Sequence, residues 1–359
     1  MKNAEPTISI QGTKIGKSQP VYFIADIAAN HDGDIERAKK LIELAKINGA
    51  DAVKFQHHDV KKYVSDKGFK NLGAKFSHQE TWHKTVFEIY KEAEVPLEWT
   101  QHLKSYCDEI GITFFTTPYD LDIVDYVDPF VPAYKIGSGD VAWDAMLEKI
   151  ASKGKPVLFA TGASDLADVI HAYERIYKLN KSVLLMQCNT NYTASDKNFQ
   201  YINLNVLKLY KEMFPTAVLG LSDHTHGHET VLGAVALGAC AIEKHFTDDT
   251  NRSGPDHAFS MDPDSWSSMV KSTRLLELAL GEKIKKVEDN EKETVILQRR
   301  AIRLVRDIKS DSKISREDIE FQRPCPENAI RPNDIRFVLG RSINKDIEAG
   351  DYLQIEDFK

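Results

Sequence analysis

The sequence is poor in cysteine and has no long apolar segment, and each absence excludes a class of protein. Its four cysteines stand far apart, with no CxxC pair, which excludes a disulfide framework and favours reduced, structural thiols. No run approaches the roughly 18 apolar residues of a membrane helix. The polar residues 1–6 lack the apolar core of a secretory signal. We therefore expect a cytoplasmic protein that does not bind a membrane.

An excess of basic charge is also missing. The 359 residues carry a formal net charge of −7, which argues against nucleic acid as a partner because phosphate binding needs concentrated Lys and Arg. Hydrophobic residues make up 42% and charged residues 28%, a composition that can bury a core and excludes disorder as the main state. At about 150 residues per domain, the length predicts two domains.

A strand followed by a helix recurs from residue 21 to about residue 280. Short β-branched or aromatic runs end in polar residues and alternate with stretches of helical periodicity. Eight such units over about 260 residues predict an α/β protein with a (β/α)8 TIM barrel rather than an open doubly wound sheet. The predicted strands are 21–28, 51–56, 112–118, 133–139, 156–162, 183–188, 217–223 and 240–246.

The first and last of the predicted helices carry their own end signals. Asp32 or Asp34 can cap the first helix, and Gly49 follows its end. Asp262 and a following proline open the last helix, which Gly281 ends. Both helices are therefore expected to pack on the barrel.

The connection between the second and third strands is longer than a single crossover helix needs. Residues 57–79 are polar and include glycine, and residues 80–93 and 96–109 have helical periodicity. Because long insertions at a barrel mouth often serve as lids, we expect a lid here. No ligand role is assigned to its histidines, His57, His58, His78, His83 and His102.

The last part of the chain predicts a second, smaller domain. Residues 282–298 are rich in charge and indicate a solvated linker or an exposed helix. Residues 299–359 contain four short β-like segments, 301–306, 319–322, 338–342 and 352–355. We therefore predict a barrel domain over 1–281, a linker over 282–298 and a small β-rich domain over 299–359, which buries little core by itself.

The predicted strands end in polar side chains, at the end of the barrel where TIM-barrel active sites lie. Lys54, Lys135 and Lys244 stand in otherwise apolar strands, where an unpaired ammonium is costly to bury, so each needs an anionic partner. With Ser138 and Ser222 as further donors, these strand ends suit a phosphorylated and carboxylated substrate. We expect a locally basic site despite the negative net charge.

Two histidines end consecutive strands and are expected to be neighbours. Imidazole pairs with open coordination positions suit Mn, Co, Zn or Fe, whereas Mg prefers oxygen ligands. Either His224 or His245 alone could be a hydrogen-bonded structural residue. Together, with Asp223 and Glu243 beside them, they predict a Lewis-acid site for a divalent metal, whose other positions are left to water and substrate.

Six segments, in order, resemble the N-acetylneuraminate (sialic acid) synthase family, which includes legionaminate and pseudaminate synthases. They are 23–33, 49–56, 134–140 (Tyr-Lys-Ile-Gly-Ser-Gly-Asp), 220–225 (Gly-Leu-Ser-Asp-His-Thr), 242–247 (Ile-Glu-Lys-His-Phe-Thr) and 254–257 (Gly-Pro-Asp-His). The tail resembles the family's SAF domain, which is similar to type III antifreeze proteins. It has Gln322-Arg323-Pro324 where the family usually has Lys-Arg-Pro.

The resemblance implies a condensation of phosphoenolpyruvate (PEP) with an open-chain N-acylated amino sugar, forming a nonulosonic acid and releasing phosphate. The acceptor would be N-acetylmannosamine or a 2,4-diacetamido-2,4,6-trideoxyhexose. A divalent metal ion, Mn²⁺ before Mg²⁺ or Co²⁺, would polarise the aldehyde. The resemblance also implies a homodimer with swapped domains.

The resemblance assigns a role to each site residue by position. Asp26, Lys135 and Glu243 would be catalytic, and His224 and His245 would bind the metal. PEP would be held by Lys54, Lys135, Ser138, Thr190 and Ser222, and the acceptor sugar by Tyr192 and Asp256. Gln56 would also bind substrate. Arg323 would reach the acyl group of the sugar in the barrel of the partner subunit.

Two positions depart from the family pattern, and two alternatives stay open. Asp26 stands where Glu is common, and catalytic geometry is sensitive to displacements of about 1 Å. Thr190 stands where Asn is frequent. One alternative is a Schiff-base aldolase that uses Lys54, Lys135 or Lys244. The other is a non-catalytic carbohydrate-binding protein.

Overall fold

The computed structural model describes residues 5–73, 79, 80 and 82–359. The chain divides into two units, one that ends at Gly281 and one from Glu282 to Lys359. Each unit has a hydrophobic core of its own. His78, which belongs to the predicted lid, lies outside the described residues.

A two-stranded hairpin precedes the barrel and is absent from the sequence prediction. Strands β1 (Thr7–Ile10) and β2 (Thr13–Gly16) pair in antiparallel fashion. The turn between them places Gly12 at φ 85°, a conformation that glycine adopts without strain. Ile10 and Ile15 are fully buried and belong to the core of the first unit.

A closed barrel of parallel strands forms the first unit, which confirms the predicted TIM-barrel architecture. Among the described residues, eight strands follow one another around the barrel in chain order, and the last pairs with the first. The strands are almost wholly buried, as expected where helices cover a filled barrel. They are β3 (Tyr22–Asp26), β4 (Ala52–His57), β5 (Thr113–Pro118), β6 (Tyr134–Ile136), β7 (Val157–Ala160), β8 (Val183–Cys188), β9 (Val218–Asp223) and β10 (Ala241–His245).

The strand register decides which polar side chains meet. Asp26 lies opposite His245 where β3 pairs with β10, and opposite Lys54 where β3 pairs with β4. Asp223 lies opposite Lys244 where β9 pairs with β10. Because successive side chains of a strand point to opposite faces, adjacent residues such as Lys244 and His245 face different surroundings.

Helices follow the barrel strands, and the predicted end signals are confirmed. Asp34 caps the first helix by accepting a hydrogen bond from Glu36 N. Asp262 caps the last helix by accepting one from Ser265 N. Gly49 follows the first helix at φ 94°. No helix in the described part of the chain is long and apolar enough to cross a membrane. The helices of the first unit are α1 (Ile35–Ile47), α2 (Val60–Tyr63), α3 (Asp66–Asn71), α4 (Val86–Glu92), α5 (Trp99–Ile110), α6 (Leu121–Val127), α7 (Asp144–Ser152), α8 (Leu166–Leu179), α9 (Val206–Met213), α10 (Glu229–Ala236) and α11 (Pro263–Leu280).

The insertion after β4 is more helical than its sequence predicts. The stretch 57–79, for which the sequence indicates a polar segment with glycine and no helix, contains α2 and α3. The helix predicted over 80–93 is shorter, because Thr85 and Glu88 form a capping box that starts α4. The helix predicted over 96–109 is confirmed as α5.

A small hydrophobic cluster holds the helices of the insertion together. Val60 and Val64 from the α2 region pack with Val86 of α4, and aromatic side chains surround them. This cluster is separate from the barrel core. It fixes α2 and α4 side by side, so that side chains on both helices can form one wall.

The second unit contains one strand pair and many irregular connections. Helix α12 (Lys292–Gln298) lies in the range predicted as a linker or exposed helix. Strands β11 (Ala301–Leu304) and β12 (Ile319–Gln322) pair in antiparallel fashion. The other two predicted β segments form only isolated bridges within the described residues, because short 3₁₀ helices adjoin both. Ile302, Val338 and Leu353 are fully buried in the core of this unit.

Candidate active site

Two lysine–carboxylate pairs lie side by side among the barrel strands. Lys54 Nζ donates to Asp26 Oδ2 at 2.6 Å and to Thr117 Oγ1 at 3.2 Å. Lys135 Nζ donates to Glu243 Oε1 at 2.8 Å, and Lys54 Nζ lies 3.9 Å from that same oxygen. All four charged side chains are at most 5% exposed. The structure therefore brings together four residues that the sequence analysis predicts for the site.

The charges in this cluster stabilise one another. Burial alone would raise the pKa of Asp26, but Lys54 and His245 hold it below the ordinary value. Burial would likewise raise the pKa of Glu243, and Lys135 and Lys54 lower it. The pKa of Lys54 is raised, because its two carboxylate neighbours outweigh burial. Two cations and two anions cancel, so the prediction of a locally basic site is wrong for this cluster.

Lys244 does not belong to the cluster, contrary to its inclusion among the substrate-facing lysines. Its Nζ lies 2.5 Å from Asp223 Oδ2 and 2.5 Å from the Thr225 carbonyl oxygen. Asp223 also accepts hydrogen bonds from Thr225 and Thr230. The alternation of side chains along β10 explains the difference, because Glu243 and His245 point one way and Lys244 the other. Lys244 forms a buried structural ion pair.

The two predicted metal ligands are neighbours, with ring centroids 5.3 Å apart. His224 Nδ1 lies 3.0 Å from the Asn189 carbonyl oxygen, so Nδ1 carries a proton in that contact. His245 Nε2 lies 3.6 Å from Asp26 Oδ2, and its Nδ1 lies 3.8 Å from Asp256 Oδ2. Burial lowers the pKa of His245. No cluster of three His, Cys, Asp or Glu side chains in the described ranges has the arrangement of a metal site.

Of three predicted hydroxyl groups, one contacts the charge cluster and the other two share a tight backbone cradle. Ser222 Oγ donates to Glu243 Oε1 at 3.1 Å. Ser138 Oγ accepts from Gly162 N at 3.0 Å. A Cβ on Gly162 would stand 1.8 Å from Thr190 Oγ1 and 2.9 Å from Ser138 Oγ. Only glycine therefore lets Ser138 and Thr190 approach the same stretch of backbone, a requirement that the sequence analysis did not find.

A cavity opens beside the charge cluster and is lined by three predicted substrate-binding residues, of which Tyr192 and Asp256 are the ones predicted for the acceptor sugar. Gln56, Tyr192 and Asp256 line it together with His245. Gln56 Nε2 donates to Asp26 Oδ2 at 3.1 Å, and Asp256 Oδ2 accepts from Ala29 N at 3.1 Å. The predicted sugar residues thus share one space with a predicted metal ligand.

Side chains of the insertion form the far wall of the cavity, which the sequence analysis missed. His58, Tyr63, Trp82 and Tyr90 come from the insertion, and Tyr119 follows β5. The recurrence of aromatic residues between 58 and 90 is the signal that could have indicated a binding wall. The sequence analysis expected a lid here, and these residues do line the cavity.

Some residues of the recognised segments are structural. His257 Nε2 lies 3.0 Å from Asp32 Oδ1, and its Nδ1 lies 2.7 Å from Thr247 Oγ1. Arg37 donates to both oxygens of Asp248. These contacts join the loop after β3 and the first turn of α1 to the segment after β10, and so hold the rim of the site.

Arg323 belongs to the second unit, where its Nε donates to the Gln298 carbonyl oxygen at 2.6 Å. Its predicted role at the barrel of a partner subunit stays a prediction.

Comparison with known proteins identifies the family. The model of the NeuB family matches residues 41–285. The chain belongs to the NeuB family. One NeuB relative, the N,N'-diacetyllegionaminic acid synthase of Legionella pneumophila, is 36% identical over 93% of this chain and 94% of its own length. The N-acetylneuraminate-9-phosphate synthase of Homo sapiens is 33% identical over 77% of this chain and 76% of its own.

A solved NeuB structure supports the same assignment. The N-acetylneuraminic acid synthetase of Leptospira borgpetersenii, crystallised with citrate, superposes with a TM-score of 0.71 at 27% identity. The match covers 82% of this chain and 97% of the other. The predicted resemblance to sialic, legionaminic and pseudaminic acid synthases is therefore confirmed.

Gly162→Ala tests the hydroxyl cradle. The new Cβ would overlap Thr190 Oγ1, so we expect a destabilisation of about 1–3 kcal/mol, the usual cost of overpacking. Thr190→Ala in the same chain removes the overlapping atom and should restore most of the loss. Thermal unfolding of both single variants and the double variant measures this coupling. Strictly additive effects would show that Gly162 and Thr190 do not share this space.

Proposed function

We propose that this protein is a nonulosonic acid synthase that condenses PEP with an open-chain N-acylated amino sugar and releases phosphate. The observation that carries the proposal is the position of Lys54 and Lys135, which lie among hydroxyl donors and beside a cavity with His245 and Asp256. Several relatives of this chain are named as synthases of sialic, legionaminic or pseudaminic acids.

PEP would occupy the end of the barrel that contains the charge cluster. Its phosphate and carboxylate groups would contact Lys54 and Lys135, with hydroxyls of Ser138, Thr190 and Ser222 as further donors. The lysines are already held by carboxylates, so they need not be ordered when substrate binds. Preorganisation of this kind suits a site that must hold an anion in one orientation.

The acceptor would occupy the adjoining cavity, with Gln56, Tyr192 and Asp256 as contacts. Glu243 Oε1 accepts from Lys135 and Ser222, while Oε2 has no hydrogen-bond partner within the described residues. We assign Oε2 to the water that adds to C2 of PEP, where it would orient the water and accept its proton. The enol carbon of PEP would attack the aldehyde, and phosphate would then leave.

Asp26 has a positioning role in this proposal. Its Oδ1 accepts from Ala28 N at 3.1 Å, and its Oδ2 accepts from Lys54 and Gln56. The backbone contact fixes the shorter carboxylate, so Asp26 reaches Lys54 without the extra methylene that the family commonly has. Asp26 would thereby orient both Lys54, which would bind PEP, and Gln56, which would contact the acceptor.

His224 and His245 would hold a divalent metal ion, Mn²⁺ before Mg²⁺ or Co²⁺. His224 Nδ1 contacts a carbonyl, which leaves Nε2 for a ligand, and His245 Nδ1 has no hydrogen-bond partner among described residues. Such a metal would polarise the aldehyde oxygen of the acceptor. Burial would lower the pKa of His224, but Cys188 and the Asn189 carbonyl raise it, so a metal there competes with a proton.

The Schiff-base alternative is disfavoured by the state of the lysines. An amine nucleophile must lose its proton, yet Asp26 and Glu243 raise the pKa of Lys54 against the effect of burial. Lys135 donates a hydrogen bond to Glu243 at 2.8 Å, and Lys244 forms a buried ion pair with Asp223. No observation favours the non-catalytic alternative over the synthase.

Turnover assays test the proposed reaction. We expect phosphate release from PEP only when an amino sugar and a divalent ion are both present, with the acceptor found from a panel. Stringent chelation should abolish turnover, and Mn²⁺ should restore it. His245→Ala should reduce kcat/KM by at least about 100-fold, the loss expected when a group that stabilises developing charge is removed. Full activity after chelation would contradict the metal assignment, and no activity with any acceptor would contradict the synthase.

We further propose that residues 299–359 form an SAF domain and that the protein is a cytoplasmic homodimer with swapped domains. The second unit has a core of its own, which supports a separately folded domain. In such a dimer Arg323 would contact the acyl group of the sugar bound to the partner subunit.

Complementation between two inactive variants tests this arrangement. Arg323→Ala removes the contribution of the tail, and Lys135→Met removes that of the barrel. A mixed dimer would contain one intact site of two, so we expect up to about half of wild-type activity from purified mixed dimers and about a quarter from a random equimolar mixture. Mixed dimers that form and show no activity would contradict a site shared between subunits.

A further inference from the structure

His58 has a buried ring nitrogen without a hydrogen-bond partner in the described part of the chain. The residue is 7% exposed, and its Nε2 lies 2.8 Å from the Tyr90 carbonyl oxygen. Because a carbonyl cannot donate, Nε2 carries the proton and Nδ1 carries a lone pair. Burial lowers the pKa of His58, which favours this neutral ring. Nδ1 is therefore an unsatisfied acceptor.

This acceptor belongs to a residue that lines the cavity beside the charge cluster. Three tyrosine rings surround it, with centroids 5.3 Å away for Tyr63, 6.0 Å for Tyr90 and 6.3 Å for Tyr119. A buried acceptor without a donor costs about 1–3 kcal/mol. Such a cost is offset if a ligand brings the missing donor.

The tyrosines make the surroundings of His58 largely apolar. Tyr63 and Tyr119 pack with ring centroids 4.5 Å apart, and Tyr90 contacts Tyr63 edge to face. Burial raises the pKa of Tyr90 to about 12, so its phenol is neutral. We call His58 with Tyr63, Tyr90 and Tyr119 the tyrosine cage. It combines one buried ring nitrogen that lacks a donor among the described residues with three aromatic rings.

We propose that His58 is a specificity-determining residue that accepts a hydrogen bond from the N–H of a second acylamino group on the acceptor sugar. The inference rests on the proposed function, in which the aldehyde end of the acceptor lies near His245 and Asp256. An acylamino group joins one N–H donor to an apolar methyl, and this pairing matches the tyrosine cage. A hydroxymethyl end offers no apolar group and would bury extra polar atoms at a cost.

The substrate class that follows is a diacylamino deoxy sugar rather than a monoacylamino hexose. The cage would bind the end of the acceptor distant from the aldehyde. Because a site built to hydrogen-bond an N–H discriminates strongly against analogues that lack it, one residue can set this preference. His58 would act on acceptor affinity and leave PEP affinity alone.

Two variants separate the ring nitrogens of His58. His58→Gln places an amide nitrogen near Nε2 and keeps donation to the Tyr90 carbonyl, but removes the Nδ1 acceptor. His58→Asn places an amide oxygen near Nδ1 and keeps the acceptor. We expect His58→Gln to raise the KM for a 2,4-diacylamino acceptor about 5- to 150-fold, and His58→Asn to raise it less. The exposed His102→Gln serves as the matched control.

The acceptor can be varied as well as the protein. Replacing the N–H of the second acylamino group by an ester oxygen should raise the KM of the wild-type enzyme by a similar factor, which keeps the test valid if a variant fails to fold. With N-acetylmannosamine, the KM of His58→Gln should stay within about threefold of wild type. PEP affinity, measured by calorimetry without acceptor, should not change in either variant.

Two results would overturn the assignment of His58. One is an unchanged KM for the diacylamino acceptor in His58→Gln, and the other is an equal rise for both acceptors. A wild-type enzyme that turns over no acceptor would instead contradict the proposed function. The two failures are therefore distinguishable.

Discussion

The arrangement of the site depends on two buried ion pairs that cross the barrel strands. Lys54 donates a hydrogen bond to Asp26 at 2.6 Å, and Lys135 donates one to Glu243 at 2.8 Å. The two lysines can lie in an apolar interior only because these carboxylates pair with them. Removing either carboxylate would leave a buried cation unpaired, which is strongly destabilising. In the proposed function, the two lysines of these pairs bind PEP, Glu243 orients the attacking water and Asp26 has a positioning role. Stability and chemistry are therefore coupled in this cluster.

Around this cluster, the fold separates three tasks. Hydroxyls of Ser138 and Thr190 approach one stretch of backbone at Gly162, which suits anion binding. The loops after β3 and β10 are fixed by Asp32 and His257. The insertion supplies His58, Tyr63 and Tyr90 of the tyrosine cage on the far side of the cavity. The groups assigned to PEP and the far wall of the acceptor cavity therefore come from different parts of the fold.

Much of the barrel follows from local sequence patterns, because each strand is a short apolar run with polar residues at its end. The pairing partners do not follow from such patterns. Lys54, Lys135 and Lys244 look alike in sequence, yet Lys244 faces away from the cluster because side chains alternate along β10. The sequence predicts each of the two carboxylates as a site residue. Which lysine each carboxylate pairs with depends on the register between strands.

The insertion was the least predictable part. Its short helices are held by a hydrophobic cluster of their own, so tertiary packing outweighs weak local propensity there. The unsatisfied nitrogen of His58 is visible only when all contacts of a buried ring are known. The small strands of the second unit show the same limit, since isolated bridges replace two of the four predicted segments.

A crystal structure with bound PEP tests the central claim most directly. We predict that PEP oxygens lie within hydrogen-bond distance of both Lys54 Nζ and Lys135 Nζ, with Ser138 or Ser222 hydroxyls as further donors. The enol carbon should face the cavity that contains His245. PEP bound elsewhere, with both lysines contacting only Asp26 and Glu243, would contradict the account.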